Sequence, residues 1–356
     1  VQYICTMTDF TYRMDEKILE MEQKAQTNYK MLSRDELLRT SLTGTEKPTF
    51  FSTNRSNDTI SFRSVKGRYH VAEEYIEAEN INYLHIADAL IQPENGRLII
   101  NRRAMIKPLE NALVAINNRH LLHSAKISIE STKSYSGGGL YDYVSDDKLI
   151  QQISFPELVV DTLVTSAKGF IAPEQNFMLN PWFSFTGDVT LSARETYLKY
   201  TGAAGIIHDC NAVPSRTIRF TASLDPRNIM IPVDDKPRDM DNNLVYSGSF
   251  INIDSAHIYP AFLSDQKSWA DVAIVSSVGY LWFDKSKNSY LITSREKIAN
   301  PSASGNILAF NRTGCELSGE GLITLGTDFG LVKLGTAGKY VNSIDSSDVT
   351  VNTLLG

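Results

Sequence analysis

The tripeptide His208-Asp209-Cys210 sets an imidazole, a carboxylate and a thiol side by side. These are the groups from which a nucleophile, its base and an orienting acid are assembled. Neighbouring residues on a strand point to opposite faces, so the three read as satisfied structural residues rather than a catalytic set. His120 and His123 lie three apart in a stretch that reads as strand or loop. That spacing puts them on opposite faces and argues against shared metal ligation. The run "VDDKPRDMDNN" offers Asp239, Asp241 and Asn243 at the first three ligand positions of a calcium loop. Leu244 then stands where the turn needs glycine and Phe250 where a bidentate glutamate belongs, so the run reads as a solvated turn between strands. "SYSGGGLYDY" carries three glycines but leads into an alternating strand, not into the helix N-terminus that a phosphate cradle requires. The sequence therefore assigns no catalytic, cofactor-binding or metal-binding residues and no cofactor, and the expectation is a chain that is not an enzyme.

The elements that would position such residues are mostly short strands. Met14, Ile18, Met21, Ala25, Tyr29 and Leu32 recur at spacings of three and four and predict a helical segment within 13–39. Ser33-Arg34-Asp35-Glu36 has the form of a capping box opening a second, short helix. Residues 40–58 read as a Ser-, Thr- and Asn-rich linker. From residue 59 the apolar period becomes two. "FSFTGDVTLSARETYLKYTG" (183–202) shows it clearly: Phe183, Phe185, Val189, Leu191 and Ala193 alternate with polar residues, Thr190 falls on the solvent face, and a second run from Tyr197 closes at Gly202. Gly187 interrupts the first run, as a bulge or tight bend would. Gly67, Gly248 and Gly319 sit in similar settings of apolar, polar, Gly, polar, apolar, and suggest a loose repeat. The expected organisation is a helical segment with linker at 1–58, a β-rich solenoid-like domain at 59–345 and a tail at 346–356. A β-sandwich is the alternative, since short strands between turns are its signature too.

The totals narrow the function classes. The chain has 356 residues, 21% of them charged, and a net charge of -6. Its length suffices for a sizeable core, and the acidic balance argues against nucleic acid as a partner and against an anionic membrane surface. No apolar run reaches the ~18 residues of a membrane helix. Cys5, Cys210 and Cys315 lie far apart without C-x-x-C spacing, so neither a zinc site nor a disulfide framework is expected. Cys5 follows Ile4 where a lipid-attachment signal needs a small residue, which argues against a lipid anchor.

"ISFRSVKGRYHVAEEYIEAENINYLHIADALIQPENGRLII" and "FSFTGDVTLSARETYLKYTG" resemble the strand-rich repeats of OstA-type proteins, the lipopolysaccharide-transport family of the cell envelope. That resemblance implies an all-β, folded-over or solenoid-like stack of strands. "YSGGGLYDYV" and "IYPAFLSDQKSWADVAIVSSVGYLWFDKS" are similar to segments of large uncharacterised envelope proteins of Bacteroidetes-type bacteria. Asp58-Thr59-Ile60, Asp161-Thr162-Leu163 and Asp254-Ser255-Ala256 match the triplets at which exported proteins of such bacteria are O-glycosylated. The expected function is a non-catalytic structural or binding module of a periplasmic or cell-surface assembly, with parallel stacking of its strands. Its partners are expected to be other envelope proteins, with lipid or glycan as ligands. The alternatives are lipid or lipopolysaccharide transport, which needs an apolar groove open to solvent, and a polysaccharide-active β-helix enzyme, which needs clustered carboxylates or bases.

Overall fold

The computed structural model describes residues 2–23, 29–43, 47–211, 214–252, 257–324, 334–343 and 347–355. Strand dominates them, and the fold is all-β. The largest sheet has eleven strands. Its main path runs Ile218–Ser223, Lys199–Ile206, Phe183–Ser192, Val164–Ile171, Ile150–Asp161, Ser134–Val144, His120–Ser131, Leu109–Ile116, Ala89–Gln92, Leu84–Ile86, while Met178–Asn180 pairs off it with Phe183–Ser192. The order follows the chain, so this is a meander. Its recorded ladders are antiparallel, and the expected parallel stacking is not the pairing found. The connections explain why. Asp161 pairs with Val164, leaving a two-residue turn in which Thr162 and Leu163 have φ of 49° and 63°. Two left-handed residues make the turn whose twist matches an antiparallel hairpin, whereas a parallel crossover needs a dozen residues or more.

The chain divides into two compact units, Val1–Tyr143, Ile150–Phe170 and Val189–Leu198 in the first, Val144–Leu149, Ile171–Asp188 and Lys199–Gly356 in the second. Of the smaller sheets, the first unit holds a three-stranded one (Tyr3–Cys5, Phe50–Ser52, Ser61–Phe62) and a five-stranded one in the order Leu98–Ile100, Tyr75–Glu79, Lys66–His70, Ile18–Glu22, Asp9–Arg13. The second holds a three-stranded sheet and a seven-stranded one that runs from Ile231–Val233 to Ser347–Leu355. No helix among the described residues is long and apolar enough to cross a membrane.

The N-terminal helical segment is corrected. Asp9–Arg13 and Ile18–Glu22 form a hairpin, with Phe10 opposite Met21 and Tyr12 opposite Leu19. Met14 is 79% exposed at its turn, and Ala25 lies outside the described residues. The same residues satisfy both periods: Leu19 and Met21 form a strand face as readily as Ile18 and Met21 lie on a helix stripe. Pairing of Ile18–Glu22 with Lys66–His70 decides between them, a long-range contact that overrides local propensity. Among the described residues of 13–39, α-helix is found at Arg34–Arg39, and there the capping box forms as expected; a second short helix lies at Arg295–Ala299. The Glu36 amide donates to Ser33 Oγ at 3.3 Å, and the Ser33 amide donates to Glu36 Oε2 at 2.8 Å. These bonds and Lys30 pull the Glu36 carboxyl down to about 2. Leu37 anchors the helix on Leu90 and Ala115.

The alternation in 183–193 is realised: Phe183, Phe185, Val189, Leu191 and Ala193 are buried, while Thr190 is half-buried. The second run begins at Lys199 and continues through Gly202 to Ile206, so Gly202 does not close it. Gly187 has φ +136°, and a Cβ there would lie 2.6 Å from Gly202 Cα. Gly67, Gly248 and Gly319 have no such φ; a Cβ there would instead meet the Phe50 and Met21 side chains, the Val275 carbonyl or the Ile307 carbonyl. The four positions therefore share composition but no backbone bend, and they do not mark a repeating unit.

Cys210 and Cys315 form a disulfide across a separation of 105 residues, with Cα atoms 5.4 Å apart, where the spacing of the cysteines indicates no disulfide framework. Tertiary placement brings them together, and their spacing in the chain carries no trace of it. Such bonds persist in oxidising compartments, which is compatible with an exported chain.

Candidate functional site

Of the residues singled out from the sequence, His120, His208, Cys210 and Asp239 are engaged as struts. His120 is 1% exposed, and its Nε2 lies 2.9 Å from the Glu195 carbonyl. Burial pushes its pKa down, favouring the neutral ring. His208 sets Nε2 2.9 Å from Ser215 Oγ and accepts the Cys210 amide on Nδ1 at 3.1 Å. Burial lowers its pKa too. The Cys210 sulfur is held in the disulfide and has no thiol to act as nucleophile. The acidic run is not simply solvated. Asp239 is 3% exposed and paired with Arg216 at 2.7 Å, and it accepts the Asn243 amide at 2.8 Å. Arg216 in turn reaches Asp265 at 2.7 Å. The first two ligand positions of the supposed calcium loop thus part company, with Asp239 turned in against an arginine and Asp241 exposed. Of the three triplets, Thr59 and Thr162 are exposed, and residues 254–256 lie outside the described residues.

Two features stand out, each built around one residue named from the sequence, Cys5 in the first and His123 in the second, with partners the sequence does not mark. The first is a cleft of about 280 Å³ in the first unit, lined by Gln2, Tyr3, Cys5, Phe10, Leu19, Met21, Phe50, Tyr69 and Ile76, most of them apolar or aromatic. It follows from alternation on the five-stranded sheet. One face carries a cross-strand charge ladder. Glu20 stands opposite Arg68 and Arg68 opposite Glu77, and beside them Glu22 stands opposite Lys66 and Lys66 opposite Glu79. Arg68 pairs with Glu79 at 2.7 Å, and Glu77, 3% exposed, takes Arg97 as a further partner. Opposite charges directly across strands favour one register, and in a sheet of period two the register decides which face is apolar. Leu19, Met21, Tyr69 and Ile76 fall on the other face, toward the cleft. The Phe50 ring stacks on Phe62 at 5.4 Å between centroids. Cys5 keeps a free thiol at this cleft, and burial pushes its pKa up. Phe10 remains 54% exposed.

The second feature is a hydrogen-bonded chain on the His120–Ser131 strand. His123 Nε2 lies 2.8 Å from Asp142 Oδ1, and His123 Nδ1 lies 3.0 Å from Ser124 Oγ. Asp142 Oδ2 accepts from Arg34 at 2.9 Å. Burial pushes the Asp142 carboxyl up, but His123 and Arg34 outweigh it and leave it below its ordinary value. The ladder to Ser134–Val144 pairs His123 with Leu140 and next pairs Lys126 with Gly138, so the strand carries an extra residue there. Ser124 sits in that bulge with φ +49° and is exposed. Bulges re-aim side chains in this way. A cleft of about 440 Å³ adjoins it, lined among others by Ser124, Ser128, Gly139, Leu140 and Pro156. Ser124 and Asp142 went unmarked in the sequence, although a signal was present. Leu122 is followed by Ala125, Ile127 and Ile129, so the buried positions change from even to odd at 123–124.

No protein-family model, no curated protein and no solved structure matches the chain.

Proposed function

We propose that the chain is a structural or binding module of a bacterial cell-envelope assembly, and that its binding element is the cleft beside Cys5, with an alkyl or acyl chain as ligand. The observation that carries this reading is the cleft's lining: six apolar or aromatic side chains from two small sheets converge with Tyr3 and the Cys5 thiol. Apolar walls with a few polar groups are the usual make-up of a small-molecule site, and this volume suits a medium-length chain rather than a bulky head group. The reading keeps the groove expected of OstA-type lipid handling but confines it to the N-terminal sheets. The disulfide supports an exported location.

N-phenyl-1-naphthylamine is the probe. Its fluorescence should rise on binding the protein and fall on titration with decanoate. Leu19→Glu puts a carboxylate on the cleft wall and should weaken decanoate at least about tenfold, since burying an unpaired charge is costly. Circular dichroism should stay strand-dominated, because Leu19 is only half-buried. Absence of displacement by decanoate, or equal affinity in Leu19→Glu, would contradict the reading.

A further inference from the structure

We propose that Ser124 is a nucleophile activated by His123 and Asp142, and that it transfers acyl groups from carboxylic esters to water. This site is separate from the Cys5 cleft and does not depend on it. The two hydrogen bonds run in the order a serine nucleophile requires: hydroxyl to imidazole at 3.0 Å, imidazole to carboxylate at 2.8 Å. The roles of the ring nitrogens follow from their partners. An ionised Asp142 accepts and has no proton to give, so Nε2 carries the hydrogen and Nδ1 keeps the lone pair that faces Ser124. Arg34 holds the other carboxylate oxygen and keeps Asp142 from turning away. The imidazole is almost buried while the hydroxyl is exposed on the cleft, so base and nucleophile have the environments their tasks need. Ser124 also has left-handed backbone, a conformation that costs a non-glycine residue free energy and recurs at functional sites.

In the reaction Ser124 Oγ bonds to the ester carbonyl carbon and its proton passes to His123 Nδ1. Collapse of the tetrahedral adduct breaks the bond to the alcohol oxygen, which leaves with that proton. Water then attacks the acyl-serine, giving its proton to Nδ1, and expulsion of Ser124 returns that proton to Oγ. The net change is ester plus water to acid plus alcohol. Asp142 touches no substrate and is a positioning residue.

The test is labelling of the full chain with a fluorophosphonate, followed by trypsin and mass spectrometry. Cleavage after Arg119 and Lys126 isolates residues 120–126, in which Ser124 is the sole serine. The expected result is one adduct on this peptide, absent in Ser124→Ala, which removes only an exposed hydroxyl. Asp142→Asn keeps the shape but donates to Nε2, which forces the proton onto Nδ1, the wrong tautomer. Its labelling rate should fall on the order of 10²-fold or more, and p-nitrophenyl acetate turnover with it, while circular dichroism is unchanged. His123→Gln, read the same way, provides the second variant if Asp142→Asn does not fold. Two outcomes overturn the proposal: no adduct on 120–126 in the parent, or an adduct that forms equally fast in a folded Asp142→Asn or His123→Gln variant. A merely structural His123–Asp142 pair would leave the reactivity of Ser124 unmoved.

Discussion

Replacing Cys210 and Cys315 together by alanine will lower the free energy of unfolding by about 4 kcal/mol. The bond closes a loop of 105 residues in sequence separation, and tying so long a loop removes more freedom from the unfolded chain than any single contact in this region supplies. Local packing adds to this, because Cys210 is 3% exposed and the neighbouring Asp209 amide donates to the Arg312 carbonyl at 3.2 Å. The bond fastens the segment that carries His208 and Ser215 to the turn after Ile307–Asn311. Guanidinium denaturation of the parent with and without reductant, beside the double variant, checks the prediction. Reduced parent and double variant should nearly coincide, both well below the oxidised parent. A loss under about 1 kcal/mol would mean that the native contacts hold this region without the bond.

Gly187→Val should cost about 3 kcal/mol, from strain and overlap together. Glycine tolerates φ +136°, whereas a β-branched residue there is strained, and its Cβ would meet Gly202 Cα at 2.6 Å and the Thr201 carbonyl oxygen at 2.7 Å. Neither contact is with the far end of a flexible side chain, so the strand pair itself must shift. Thr190→Val, three residues on, is the control: Thr190 is half-buried on the face opposite Val189 and Leu191, and its replacement should stay within about 0.5 kcal/mol. Chemical denaturation of both variants measures the difference. A harmless Gly187→Val would show that the backbone can relax there.

Legibility of the sequence varied with the range of the interaction concerned. The period-two pattern of 183–193 stated its own buried face because alternation is a property of each strand alone, and Ser33–Glu36 announced its cap because the bonds span three residues. Pairing direction was less accessible: the same alternation serves parallel and antiparallel ladders, and only turns such as Thr162-Leu163, with unglycine-like residues in left-handed backbone, separate them. The hairpin at 9–22 was hidden because Ile18, Leu19 and Met21 satisfy two periods at once, and its strand partner lies some fifty residues away. The candidate sites were hidden for the same reason. Asp142 reaches His123 only through the ladder between their strands, and Tyr3, Leu19, Phe50 and Tyr69 meet at one cleft from four separate strands.

Alkylation of Cys5 tests the binding claim most directly. Cys5 is the free thiol of the chain, since Cys210 and Cys315 are bridged, so N-ethylmaleimide reports on one position at the cleft wall. Its rate should be measured on the oxidised protein with and without decanoate below the concentration at which micelles form. The account predicts that decanoate lowers the rate by the factor 1 + [L]/Kd, the inverse of the unliganded fraction, so at least about tenfold at a concentration of about ten times Kd, and that this protection is lost in Leu19→Glu. A Cys5 rate that decanoate leaves unchanged at saturation of the fluorescence signal would contradict it, because the ligand would then sit elsewhere.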